Sequence, residues 1–295
     1  MLIRKPAVAG MFYPREAGRC AAELEDCVER ARGSECPDVS GRIVGGVVPH
    51  AGWVCSGAVA ARVIDRIAVQ RAPAVVVVFG AIHVGLDGPQ AYLYPSGVWE
   101  TPLGPAHVDE GVSNQLVKQT DLLAADAGAH AREHSIEVEV PFIQHLLPDS
   151  LIVPIMVPVN ERAAALGTAV GQVCKQSGVD AIFLASTDLT HYGPSYSFAP
   201  QGVGPEGLRW AKDVNDRRMI DLILAMREGE AVNEACANWN ACGAGAVAAT
   251  IAACKAIGAG RATLLEHTTS YEVLRERYHE PPHDAVGYAG LVFHE

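Results

Sequence analysis

Three apolar runs set most of what this chain can fold into. RIVGGVV (residues 42–48), AVVVVFGAI (74–82) and DAIFLASTD (180–188) carry almost no polar residues over the length of a strand. A strand wetted on one side alternates apolar and polar residues, so a continuous run must be covered on both faces. Between and after these runs the period becomes helical, in SGAVAARVIDRIAVQ, over roughly 161–177, over about 206–227, and in ACGAGAVAATIAACKAIG (241–258), which is apolar all round and reads as a buried helix. Strands alternating with helices predict an α/β chain: a single three-layer α/β/α domain over residues 1–295, with a mostly parallel, mixed central sheet.

The remaining segments fit around that frame. AYLYPSGVWETPLGPAHVD has the aromatics and turn residues of a hairpin or an extended excursion, and helical patterns follow near 109–125 and 134–147. LIVPIMVPV (151–159) is strand-like, but its prolines predict an irregular strand or one near an edge. Strands near 261–268 and 285–293 close the chain.

Composition excludes several function classes. Hydrophobic residues make up 49% and charged residues 19%, which is globular rather than disordered. The net charge is −11 and no Lys/Arg cluster stands against it, so no nucleic-acid partner is expected. No apolar run approaches the ~20 residues that span a bilayer, and MLIRKPAVAGMFYP is not a secretory signal, so neither a membrane partner nor export is expected. The eight cysteines form no C-x-x-C pair and read as reduced thiols in a cytoplasmic protein. The sequence leaves open whether the chain forms a homo-oligomer.

In sheets of this kind, function gathers at the carboxyl ends of the strands. Strand 42–48 ends in Pro49-His50-Ala51-Gly52, strand 74–82 in His83-Val84-Gly85, and strand 180–187 in Asp188-Leu189-Thr190-His191-Tyr192-Gly193. A single histidine at a strand end is more often structural. Three on one edge point to a shared site, because imidazole is both a transition-metal ligand and a general base near neutral pH. Asp188 would orient a histidine or a water, or simply cap a turn.

Two further segments carry chemistry. In NWNACGAG the thiol of Cys242 falls at the start of a long apolar helix, where the macrodipole favours thiolate; it reads equally as a ligand or nucleophile and as a small packed residue. HAREHSIEVEVPF holds Glu133 and His134, and its His130-Ala-Arg-Glu133-His134 matches the H-x-x-E-H pattern of one zinc-peptidase class, which would need His130 and His134 on one helix face. Glu133 and His134 alternatively line the pocket from a neighbouring loop, and Glu137 and Glu139 read as a solvated face. His279 and His283 flank a Pro-Pro turn and read as a surface loop. Cys55 reads as helix packing.

RKPAVAGMFYP, PHAGWVCSG, GAIHVG, EHSIEVEVPFIQ, STDLTHYG, NACGAG and AVGYAG, in this order over nearly the whole chain, resemble the Memo family, also called AmmeMemoRadiSam system protein B. The resemblance implies a fold like the class III extradiol ring-cleavage dioxygenases. It implies a metal held by His50, His83 and Cys242, Fe(II) first and Cu as an alternative; the thiolate ligand adds Zn as a further possibility. It also implies His191 as acid/base beside Asp188, and Glu133 and His134 lining the pocket. Many relatives follow the cysteine motif with a larger or basic residue and a proline; Ala244-Gly245-Ala246 stands here, implying a more open or differently shaped wall.

The expected function is a metal-dependent redox enzyme, a non-haem Fe(II) oxygenase acting on a small-molecule substrate. The alternatives are a zinc hydrolase at the same site, a non-catalytic metal-binding or protein-interaction scaffold, and a metal-free Cys242 nucleophile with His191 as base. A thiolate in place of a carboxylate accepts softer metals, so ring cleavage does not follow from the fold.

Overall fold

The computed structural model describes residues 1–86, 88–278 and 283–295. In chain order its strands are β1 (Ile3–Arg4), β2 (Ile43–Val48), β3 (Val75–Gly80), β4 (Ala91–Leu93), β5 (Val98–Thr101), β6 (Gly104–His107), β7 (Leu123–Ala125), β8 (Leu151–Met156), β9 (Ala181–Ser186), β10 (His191–Tyr192), β11 (Arg261–Thr269) and β12 (Ala285–His294). The helices are α1 (Ala17–Arg32), α2 (Trp53–Gln70), α3 (Glu110–Gln119), α4 (Val140–Leu146), α5 (Ala163–Gln176), α6 (Pro205–Trp210), α7 (Arg217–Leu224), α8 (Glu228–Asn238), α9 (Ala244–Ile257) and α10 (Ser270–Tyr278).

The main sheet runs β10-β12-β2-β9-β3-β8-β4-β7, with β11 on β12. At its centre β2, β9, β3 and β8 are parallel neighbours, while β12 joins β2 and β4 joins β8 antiparallel. The fold is therefore mixed α/β with a parallel centre, as the alternation of apolar runs predicts. Side chains on β3 alternate between two cores: Val75, Val77 and Phe79 pack with α5, α7 and α9, and Val76 and Val78 pack with α1, α2 and α4. Both faces are covered, which is why these strands tolerate no polar position. A smaller sheet, β1-β5-β6, contains the expected hairpin. No described helix is long and apolar enough to cross a membrane.

Three sequence expectations are corrected. β8 is a regular, buried strand between β3 and β4, not an edge. The Pro154 carbonyl accepts the Tyr94 N–H on the β4 side, so its ring nitrogen faces that side too and no bond to β3 is lost. The pattern at 109–125 is not one helix: α3 ends at Gln119, the Thr120 hydroxyl accepts the Leu122 N–H, and the chain returns as β7. The pattern at 134–147 becomes helical only at Glu137–Glu139, as a 3-10 turn, and then as α4. Starting there keeps Pro141 in the first turn, where it needs no N–H. The helix expected over 206–227 is present, but its middle, Ala211–Asp216, is a π turn.

Candidate metal centre

Because β2, β9 and β3 are adjacent and parallel, their carboxyl ends deliver His50, Asp188 and His83 side by side. His50 is buried, and its backbone N–H donates to Asp188 Oδ1 at 2.7 Å. Its Nδ1 lies 2.8 Å from Ser186 Oγ, whose own hydrogen goes to the Ser135 carbonyl at 2.6 Å. The serine oxygen is left to accept, so the His50 proton sits on Nδ1 and the Nε2 lone pair is free. That Nε2 faces Cys242 Sγ at 3.2 Å. Burial, with His83 and His134 nearby, pushes the His50 pKa far below its usual value and keeps the ring neutral.

His83 is anchored in the same way by a different group. Its backbone N–H donates to Glu133 Oε2 at 2.5 Å and its Nδ1 lies 2.9 Å from Glu133 Oε1. Burial disfavours the imidazolium, but the Cys242 thiol and the Glu133 carboxylate outweigh it and raise the pKa to about 10. Burial likewise opposes ionisation of Glu133, yet His83 and the Ser135 N–H hold it well below the usual carboxylate range. Glu133 Oε1 also accepts the N–H groups of His134 and Ser135 at 2.8 and 2.9 Å. This carboxylate is an anchor behind the imidazoles, at 1% exposure, rather than a wall of the cleft.

His134 completes a group of three imidazoles. Candidate ligand atoms of His50, His83 and His134 all lie within 4.8 Å of one another, the only such cluster of three or more among the described residues. The His134 ring stacks on His83 at 4.6 Å and meets Phe12 edge-on at 4.8 Å, and burial lowers its pKa.

Cys242 sits two residues before α9, at the helix start the sequence predicts. Its sulfur receives the Asp188 N–H at 3.3 Å, and its own N–H donates to the Asp188 carbonyl at 3.2 Å. The glycines around it do not open a wall, as the small residues suggest on paper. A Cβ on Gly243 would lie 2.6 Å from the Ser186 carbonyl oxygen, and one on Gly245 would lie 2.3 Å from that of Pro158. They let α9 start hard against the ends of β9 and β8.

Asp188 is buried, and burial, opposed by the His50 and Ala51 N–H groups, pushes its pKa up to about 7. His191 reaches the same edge through β10, after a turn. Its Nδ1 faces the Leu189 carbonyl at 3.1 Å, which places the proton there and leaves Nε2 free; burial lowers its pKa. His83, His191 and Cys242 share a cleft of ≈ 470 Å³ walled by Tyr196, Phe198 and Trp239. In donor type and spacing the group that fits a transition-metal ion is His50, His83 and His134; Cys242, expected as the third ligand, lies 3.2 Å from His50 Nε2 but is not part of that group.

Other sequence expectations fall elsewhere. His130 is not on a helix face with His134: residues 129–132 form a 3-10 turn and Glu133 is extended. His130 Nε2 bonds the Tyr92 carbonyl at 3.0 Å, and its ring packs against Tyr94 and Trp99, so the H-x-x-E-H reading is overturned. Glu137 and Glu139 are not solvated; each is 1% exposed. Glu137 pairs with Arg4 at 2.7 Å and accepts the N–H groups of Ala7 and Val8. Cys55 packs near Val59, Val286 and Tyr288. His283 is exposed, and His279 lies outside the described residues. Ser186 and Arg4 were missed; Ser186 could have been suspected from its place at the end of an apolar strand, whereas nothing local marks Arg4.

The comparisons agree with this layout. The family model described as Memo-like protein matches residues 4–292. MEMO1 family protein MTH_45 of Methanothermobacter thermautotrophicus is 37% identical over 298 residues, covering 98% of this chain and 100% of that protein. MEMO1 family protein PF1638 of Pyrococcus furiosus is 38% identical over 302 residues, 99% of each. The solved structure of uncharacterized protein JW3007 from Escherichia coli K12 has a TM-score of 0.51 at 12% identity, covering 85% of this chain and 99% of that one, and is alike in fold. A match over nearly the whole length, with the strand-end motifs meeting at one sheet edge, places this chain in the Memo family.

Proposed function

We propose that this chain is a metal-dependent redox enzyme of the non-haem Fe(II) oxygenase type, acting on a small organic substrate, with His50, His83 and Cys242 as metal ligands. The observation that carries the reading is two imidazoles, each tied through Nδ1, with the Cys242 sulfur 3.2 Å from His50 Nε2 and lining the same cleft as His83; a bound metal would take the place of the proton that His83 holds. Fe(II) held by such donors supplies one-electron chemistry toward O2 and substrate. Ser186 and Glu133 orient the imidazoles, as groups behind metal-bound histidines do. His191 moves a proton to or from substrate at Nε2, and Asp188 fixes the His50 backbone. His134 lies within reach as a further donor. Tyr196, Phe198 and Trp239 give the cleft an aromatic wall for the organic substrate to pack against. The eight cysteines, with no C-x-x-C pair among them, fit a cytoplasmic setting.

The thiol favours a second reading, a zinc hydrolase on the same three residues, because sulfur ligands suit Zn and Cu as well. Metal analysis of anaerobically purified protein separates the two. Stoichiometric iron, oxygen uptake with added Fe(II), and loss of metal in Cys242→Ala and His50→Ala are expected. Stoichiometric zinc with no oxygen uptake would sink the redox reading. Loss of metal in His134→Ala with retention in Cys242→Ala would move the third ligand to His134.

A further inference from the structure

The loops carrying His191 and Cys242 rest on a common foundation outside the cleft. It is the π turn Ala211–Asp216 in the long helix between β10 and α8. A π turn is less stable than α-helix and is commonly retained where it places side chains for function. Its last two residues, Asn215 and Asp216, are buried at 0% and 1% exposure.

Both grip Thr190, the residue before His191. Asp216 Oδ1 accepts the Thr190 N–H at 2.9 Å, and Asn215 Nδ2 donates to Thr190 Oγ1 at 3.1 Å. Asn215 grips the other loop as well. Its Nδ2 also donates to the Asn238 carbonyl at 2.8 Å, and its carbonyl accepts Asn240 Nδ2 at 3.0 Å, two residues before Cys242. Asp216 is held from behind by His267 Nε2 at 3.1 Å. The sheet makes room for it: a Cβ on Gly287, within β12, would lie 2.0 Å from Asp216 Oδ2. Gly287 also exchanges backbone bonds with Leu189 and Thr190.

We propose that Asn215 and Asp216, backed by His267, are positioning residues that hold the His191 and Cys242 loops in one register and so aim the His191 imidazole into the cleft. This rests on His191 facing substrate, as in the proposed function, but not on which metal is bound. The π turn is then the device that converts a helix on the outer layer into a fixed His191–Cys242 spacing.

The test is imidazole titration by NMR on the full chain, as purified and again with Zn(II) added, with His145, which pairs with Glu25, as internal control. Thr190→Val keeps shape and loses the hydroxyl; Asp216→Asn removes one of two acceptors; His267→Gln keeps a donor to Asp216. In the first two variants the His191 midpoint should rise toward the ordinary histidine value by about 0.5 pH units or more, with His145 unmoved, and His267→Gln should titrate like the parent. Should Asp216→Asn not fold, Thr190→Val decides alone. Unchanged His191 titration in folded Thr190→Val, or equal shifts of His191 and His145, would overturn the proposal. Absence of any bound metal would sink the proposed function and leave the His191 response intact.

Discussion

Glu139 lies at 1% exposure, and neither of its carboxyl oxygens has a hydrogen-bond partner. A carboxyl so placed persists as the neutral acid, since an unpaired buried charge is far more costly. Burial, with the Asp188 carboxyl nearby, pushes its pKa well above the usual 4.5. The folded state therefore binds a proton that the unfolded chain releases above about pH 4.5, so this group makes stability fall as pH rises. Glu139→Gln keeps the shape and removes that term. Urea midpoints should show the variant more stable than the parent at pH 8, with the difference fading toward pH 4. Equal midpoints across that range would contradict it. The sequence could not show this, because EVEV reads as a wetted alternation; burial on both sides comes from β-sheet and helix packing far away in the chain.

At the scale of elements, α9 is legible in its apolar composition, and all of Ala244–Cys254 is buried. What composition does not reveal is how closely α5 lies against it. A Cβ on Gly167 would stand 1.9 Å from the Ala249 carbonyl oxygen, and one on Gly171 2.6 Å from that of Ala253. These glycines are tolerated in a helix because they let two backbones meet. Gly167→Ala gains helix propensity but forces the helices apart, for a net loss of roughly 2 kcal/mol. Thermal and urea unfolding will read this, and a neutral or stabilising result would mean the helices can separate freely. Since Cys242 lies two residues before α9, displacing the helix should also weaken metal retention. The strands were legible because apolar runs are local; the π turn was not, because its buried Asn215 and Asp216 pair with His267 on β11 and with the loops carrying Thr190 and Asn240, all distant in the chain.

For the whole molecule, the first residues of the chain lock a loop more than a hundred positions away. Arg4 donates from Nε to the His130 carbonyl at 3.2 Å and from Nη2 to the Glu133 carbonyl at 2.6 Å, pairs with Glu137 and lies 4.3 Å above the Trp99 ring. The segment bearing Glu133 and His134 has no long helix of its own, so this clamp holds it. Arg4→Met leaves Glu137 buried without its cation and should cost about 3 kcal/mol in urea unfolding. A loss under about 1 kcal/mol would show that the N–H groups on Glu137 suffice.

The sequence by itself determined the alternating α/β order, the strand-end positions of His50, His83 and His191, and Cys242 at a helix start, because each follows from a few neighbouring residues. Only the tertiary structure decided the rest. It set β2, β9 and β3 side by side, brought His134 beside His50 and His83, turned His130 away to Tyr92, and put Glu133 behind the imidazoles. Which nitrogen of each ring is anchored depends on Ser186 and Glu133, and the aim of His191 on a π turn in another layer. These are contacts between distant segments, fixed by burial and the need to pair every buried polar group, and no local pattern encodes them.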